Sequence, residues 1–132
     1  MTIWTARVSA AVYLCALVLL IRGRPQSARS AMTVAAIMYL VHVCCAFQYF
    51  YSWSHAVALR ETARQTEALF GVYWGGGLYL NYLFTILWGA HCAAWWRRAR
   101  GSLPAGTIAV QTFLLFIFVN ATIVVWVLRA IQ

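Results

Sequence analysis

Between Glu67 and Arg97 the chain carries no charged side chain. A helix rises ~1.5 Å per residue, and about 20 mainly apolar residues cross a ~30 Å hydrocarbon layer. The segment Gly71 to Trp96 is long enough to do so. Tyr73, Trp74, Trp95 and Trp96 lie near its two ends, where interfacial aromatics belong. Within it Gly77, Asn81, Thr85, Gly89 and Ala93 recur every fourth residue. That spacing draws one helix face of small and polar side chains, of the kind that lets a second membrane helix approach closely. The expectation is that this face is buried in the core of the fold.

The rest of the chain repeats the pattern of apolar runs and short basic gaps. Of its 132 residues, 64% are hydrophobic and 9% charged, against about 45–50% apolar and about 25% charged in soluble domains. A chain this short makes one domain. The net charge of +8 comes entirely from arginine. Because the arginines sit in gaps between apolar runs, not on a polar face, they argue for membrane topology and against a nucleic-acid partner.

Four spans follow, at about 3–21, 31–53, 72–96 and 105–128. The first is followed by Arg22-Gly23-Arg24-Pro25 with no small-residue cleavage site, so it is retained as a helix. Pro25 interrupts helical bonding, and the loop 22–30 precedes the second span. An aromatic cluster, Phe47, Tyr49, Phe50, Tyr51 and Trp53, closes that span. The segment 54–70 reads as a short interfacial helix, started by Ser54 and ended by Gly71, with Glu61, Arg64 and Glu67 spaced to pair along it. The fold class expected is therefore all-α: an integral membrane four-helix bundle with an interfacial helix between helices two and three. Loops 22–30 and 97–104 hold six arginines and no acid, whereas 54–70 holds two of each. The positive-inside rule then puts the two basic loops in the cytoplasm, and the termini and 54–70 outside.

Three constellations could carry chemistry. His42 and His91, on separate helices, are the residue type that ligates a b-type haem. Counting from the helix ends leaves roughly 9 Å of axial mismatch between them. The alternative is histidines hydrogen-bonded to neighbouring helices. Gln48, Asn81, Thr85 and Asn120 fall at comparable depth in the outer half. Amides are costly to leave unpaired in hydrocarbon, so they are expected to face one another, either as interhelical bonds or around a polar pocket beneath Gly75-Gly76-Gly77, with His42 extending it inward. His55 and Glu61 offer nitrogen and carboxylate ligands suited to a transition metal, although their spacing places them on opposite sides of a helix.

Cys15, Cys44, Cys45 and Cys92 all lie in apolar runs without a C-x-x-C pair, as small buried hydrophobes would. No span contains Asp or Glu, which argues against a proton-coupled exporter. No serine–histidine–aspartate set, nucleotide loop or H-E-x-x-H is present. The asparagine of Asn120-Ala121-Thr122 lies inside a span and is unusable as a glycosylation site. The functional expectation is a binding or accessory subunit of a membrane complex, in contact with the bilayer and with other subunits or copies of itself. The alternative is a membrane redox protein holding haem b or a transition metal through His42, His91 or His55.

Overall fold

The computed structural model describes the backbone of residues 2–99 and 101–130 and the side chains of residues 4–99 and 101–122. Among these the protein is all α-helix, with no strand. Five helices follow in order: α1 Thr2–Ile21, α2 Pro25–Tyr49, α3 His55–Phe70, α4 Gly77–Trp96 and α5 Thr107–Ala130. α1 and α2 are each long and apolar enough to cross a bilayer, both with mean hydropathy 1.9. α4 is uncharged, but Asn81, His91 and its tyrosines and tryptophans lower its hydropathy. The described side chains of α5 form an apolar run only as far as Thr122. Arg100 and the side chain of Arg129 lie outside the described residues.

Three helix boundaries differ from the sequence expectation. Pro25 opens α2 instead of preceding a loop, because a first-turn residue needs no N–H partner. The first connection is therefore only Arg22-Gly23-Arg24, and Ser27 and Arg29 ride on the helix. At its other end α2 stops at Tyr49, short of Trp53. Ser52 and Trp53 take left-handed φ values of 47° and 56°. The turn is held by bonds from Trp53 N to Phe47 O and from Ser54 N to Tyr51 O. α4 likewise starts at Gly77, leaving 71–76 as a non-helical connection. α3 begins after Ser54, whose hydroxyl accepts from Val57 N, and ends at left-handed Gly71, whose N–H reaches Glu67 O.

α1 and α2 form the most extensively packed pair. Ser9, Ala16, Ala28 and Ala35, all fully buried, line their contact. Ser9 Oγ donates to Ala35 O at 2.9 Å, a bond that only a close backbone approach permits. Around this pair the core is aromatic. Tyr13 of α1, Tyr39 of α2, Phe84 and Trp88 of α4 and Phe118 of α5 meet with ring centroids 4.8 to 5.6 Å apart.

α4 contributes its large residues to that core, not its small ones. Phe84, Trp88, His91, Cys92 and Trp95 are buried. Gly89, Ala93 and Asn81 are exposed, and a Cβ on Gly89 would meet nothing within 4 Å. The expected small-residue core of this helix is thus corrected. The stripe lies one position round from the buried face, about 100° away. Big aromatics fill the wide space between α4 and its neighbours, and the close approach belongs to α1 and α2.

Candidate functional site

The described polar groups divide into an interior set and a surface set, and the division is not the one the sequence suggested. The interior set lies towards the arginine-bearing connections. Arg29, buried on the second turn of α2, donates from Nη1 to Trp95 O at 3.4 Å and sits 4.1 Å from the Trp96 ring centroid. Its guanidinium thus meets the carbonyl end of α4, where the helix dipole favours a cation. Trp96 Nε1 donates to Thr33 Oγ1 at 2.9 Å, and Thr33 Oγ1 donates to Arg29 O. Together these bonds pin the start of α2 to the end of α4. One layer deeper, Tyr13 OH shares its proton between Gln111 O at 3.2 Å and Gln111 Oε1 at 3.1 Å. His91 stacks obliquely on Trp95, with centroids 5.6 Å apart.

Four buried nitrogens in this region have no hydrogen-bond partner among the described residues: Arg29 Nε, Trp88 Nε1, His91 Nε2 and Gln111 Nε2. Direct contacts link them in two groups, Arg29 to Trp95 to His91, and Trp88 to Tyr13 to Gln111. Arg29, Thr33, Tyr13 and Gln111 were not singled out from sequence. For Arg29 a signal existed: with Pro25 at the helix start, it falls one turn into α2 instead of in a loop.

His42 and His91 do not come together. His42 Nδ1 lies 3.3 Å from Thr5 Oγ1. Tyr39 of α2 meets Phe84 and Thr85 of α4, which sets the level of one helix against the other. His42 lies three residues beyond Tyr39 in one direction and His91 six beyond Thr85 in the other, a separation of roughly 13 Å along the axis. Two imidazoles on one haem iron must share a level, so this pair does not fit that geometry.

His55 and Glu61 are also apart. His55 Nδ1 is 3.0 Å from Tyr82 OH, and its Nε2 is 3.5 Å from Tyr79 OH. Glu61 pairs with Arg64 at 3.9 Å. Burial, with the negative charge of Glu61 as the lesser cause, pushes the Tyr51 phenol above its ordinary pKa. Among the described residues no three metal-binding side chains cluster.

The expected pocket of Gln48, Asn81, Thr85 and Asn120 is not assembled. Gln48 is exposed and accepts at Oε1 from Trp53 Nε1 at 2.8 Å, which fastens the turn after α2. Thr85 Oγ1 donates back to Asn81 O at 2.8 Å and lies 3.5 Å from Tyr39 OH. Asn120 Nδ2 donates to Phe116 O on its own helix at 2.7 Å. Asn81 is exposed, and its amide has no described partner. These amides are on the surface because the aromatic cluster occupies the space between the helices. A cleft does open at Gly75-Gly76, but its walls come from α3, the 71–76 connection and the first turn of α4, and none of the four expected residues lines it. No protein-family profile, curated protein or solved structure matches the chain.

Proposed function

We propose that the chain is a four-span integral membrane protein that serves as an accessory subunit, binding another membrane protein through the exposed face of α4. The observation that carries this reading is the outward placement of Asn81, Gly89 and Ala93 on α4. An unpaired amide facing hydrocarbon is costly, and Gly89 lets a second backbone come close. A partner helix satisfies the first and uses the second. Asn120, outward on α5 with its carbonyl oxygen uncommitted, adds to the same argument.

The membrane part of the proposal has separate support. α1 and α2 expose most of their apolar surface, including Trp4, Leu14, Val18, Ile37 and Leu40; water would oppose that and hydrocarbon accepts it. α4 and α5 are of comparable length and run beside them. The connections 22–24 and 97–106 meet at one end, where Arg24 and Gly101 line the same cleft. Both acidic residues belong to α3 at the other end. The positive-inside rule assigns the arginine-bearing end to the cytoplasm. α3, with its mixed polar face, then lies along the outer surface.

Site-specific photo-crosslinking in native membranes tests the subunit reading. A crosslinker at Gly89 or Ala93 is expected to yield a discrete protein adduct, absent from Val18 on α1, and Ala93→Trp should abolish the Gly89 adduct. Adducts to lipid alone at every position would overturn it.

A further inference from the structure

A cleft between α3 and the start of α4 belongs to neither the small-residue face of α4 nor the buried polar set. It holds about 550 Å³ and is lined chiefly by Leu59, Arg60, Trp74, Tyr79 and Leu80. Small-molecule sites commonly span about 300–1,000 Å³, with apolar walls and few polar groups. We propose that this cleft binds a single-chain amphiphile with one anionic head group, a long-chain carboxylate, with its head on Arg60 and its tail along Trp74 and Leu80.

Charge selects the head. Arg60 is the only charged residue in the lining. It has no ion-pair partner among the described residues, whereas its neighbour Arg64 is engaged by Glu61. A guanidinium presents parallel N–H donors that match a carboxylate's two oxygens. Tyr79 adds a hydroxyl in the lining, steadied by His55 Nε2 at 3.5 Å.

Shape selects the tail. The walls other than Arg60 are aliphatic, aromatic or glycine backbone. Leu80, at one edge, is exposed and continues one turn on into exposed Leu83. A chain too long for the cleft therefore leaves it along the apolar surface of α4. Two glycines hold the cleft in this form. A Cβ on Gly75 would stand 2.7 Å from Leu59 O, and one on Gly76 would collide with the Trp74 ring. Any larger residue at either position would push α3 or Trp74 aside.

Tryptophan quenching by a dibrominated long-chain fatty acid tests the site on the full chain in a neutral detergent. The expected result is saturable quenching, of which Trp74→Phe removes a larger share than Trp53→Phe or Trp96→Phe. Arg60→Gln should weaken binding about tenfold, the scale of one lost charge-assisted hydrogen bond, while Arg64→Gln leaves it unchanged. The brominated fatty alcohol, which lacks the charge, should bind wild type as weakly as the acid binds Arg60→Gln. Equal affinity for acid and alcohol, an unchanged Kd in Arg60→Gln, or a loss of quenching in Trp74→Phe no larger than in Trp53→Phe or Trp96→Phe would overturn the proposal. So would tighter binding of a brominated two-chain anionic phospholipid that displaces the acid.

Discussion

Replacing Gly89 by leucine should leave the isolated fold as stable as wild type or slightly more so. Gly89 lies inside α4, where glycine costs about 0.8–1.0 kcal/mol relative to alanine and somewhat less relative to leucine. A Cβ there meets nothing within 4 Å, so no steric term opposes that gain. The expected change is a stabilisation of about 0.5–1 kcal/mol, or a rise in Tm of roughly 2–5 °C for a chain of this size. Two buried positions calibrate the assay. Leu114 is fully buried against the aromatic core, and Leu114→Ala should cost about 2–5 kcal/mol. Ala16 is fully buried in the core beside the α1–α2 contact, and Ala16→Leu should cost about 1–3 kcal/mol through overpacking. Thermal unfolding in one detergent, followed by circular dichroism, compares all three. A Tm for Gly89→Leu as low as that of Ala16→Leu would refute the reasoning, because it would mean that the small face of α4 is packed within the folded chain.

Three further outcomes follow from the interior contacts and the turn after α2. Tyr13→Phe should cost about 0.5–1.5 kcal/mol by removing the bond to Gln111; the double variant with Gln111→Leu should cost less than the sum, since both polar partners are then gone. Arg29→Lys should lose about 1–2 kcal/mol, because an ammonium cannot both lie flat on Trp96 and reach Trp95 O; in Trp96→Leu the same change should cost less, which a double-mutant cycle measures. Ser52→Gly should stabilise the chain by about 0.5–1 kcal/mol by relieving a left-handed backbone, read as a higher Tm.

The helical class was legible because long uncharged runs bounded by arginine and aromatic residues leave few alternatives. Ser54 and Gly71 announced α3 through their capping chemistry. The packing faces were less legible. A stripe of small and polar side chains at every fourth position of α4 suggests an interface, but periodicity reveals a face without saying what covers it. The buried contact instead used Ser9 with Ala16 and Ala28 with Ala35, a seven-residue spacing on α1 and α2 that was present in the sequence. The outer amides were grouped by depth alone. Depth does not fix azimuth, and Gln48, Asn81 and Asn120 turned outward while Tyr13, Arg29 and Gln111 turned in. Arg29 was hidden by the assumption that Pro25 ends structure, when at a first helical position it begins it.

The four-span arrangement is tested most directly by the accessibility of single cysteines in sealed cells. Cys15, Cys44, Cys45 and Cys92 are first replaced, and one cysteine is introduced at Ser27, Ser102, Ser52 or Gln65. A membrane-impermeant maleimide should label Ser52→Cys and Gln65→Cys on intact cells, and Ser27→Cys and Ser102→Cys only after permeabilisation. Labelling of Ser27→Cys and Ser102→Cys on intact cells, or equal labelling of all four positions before permeabilisation, would contradict the account.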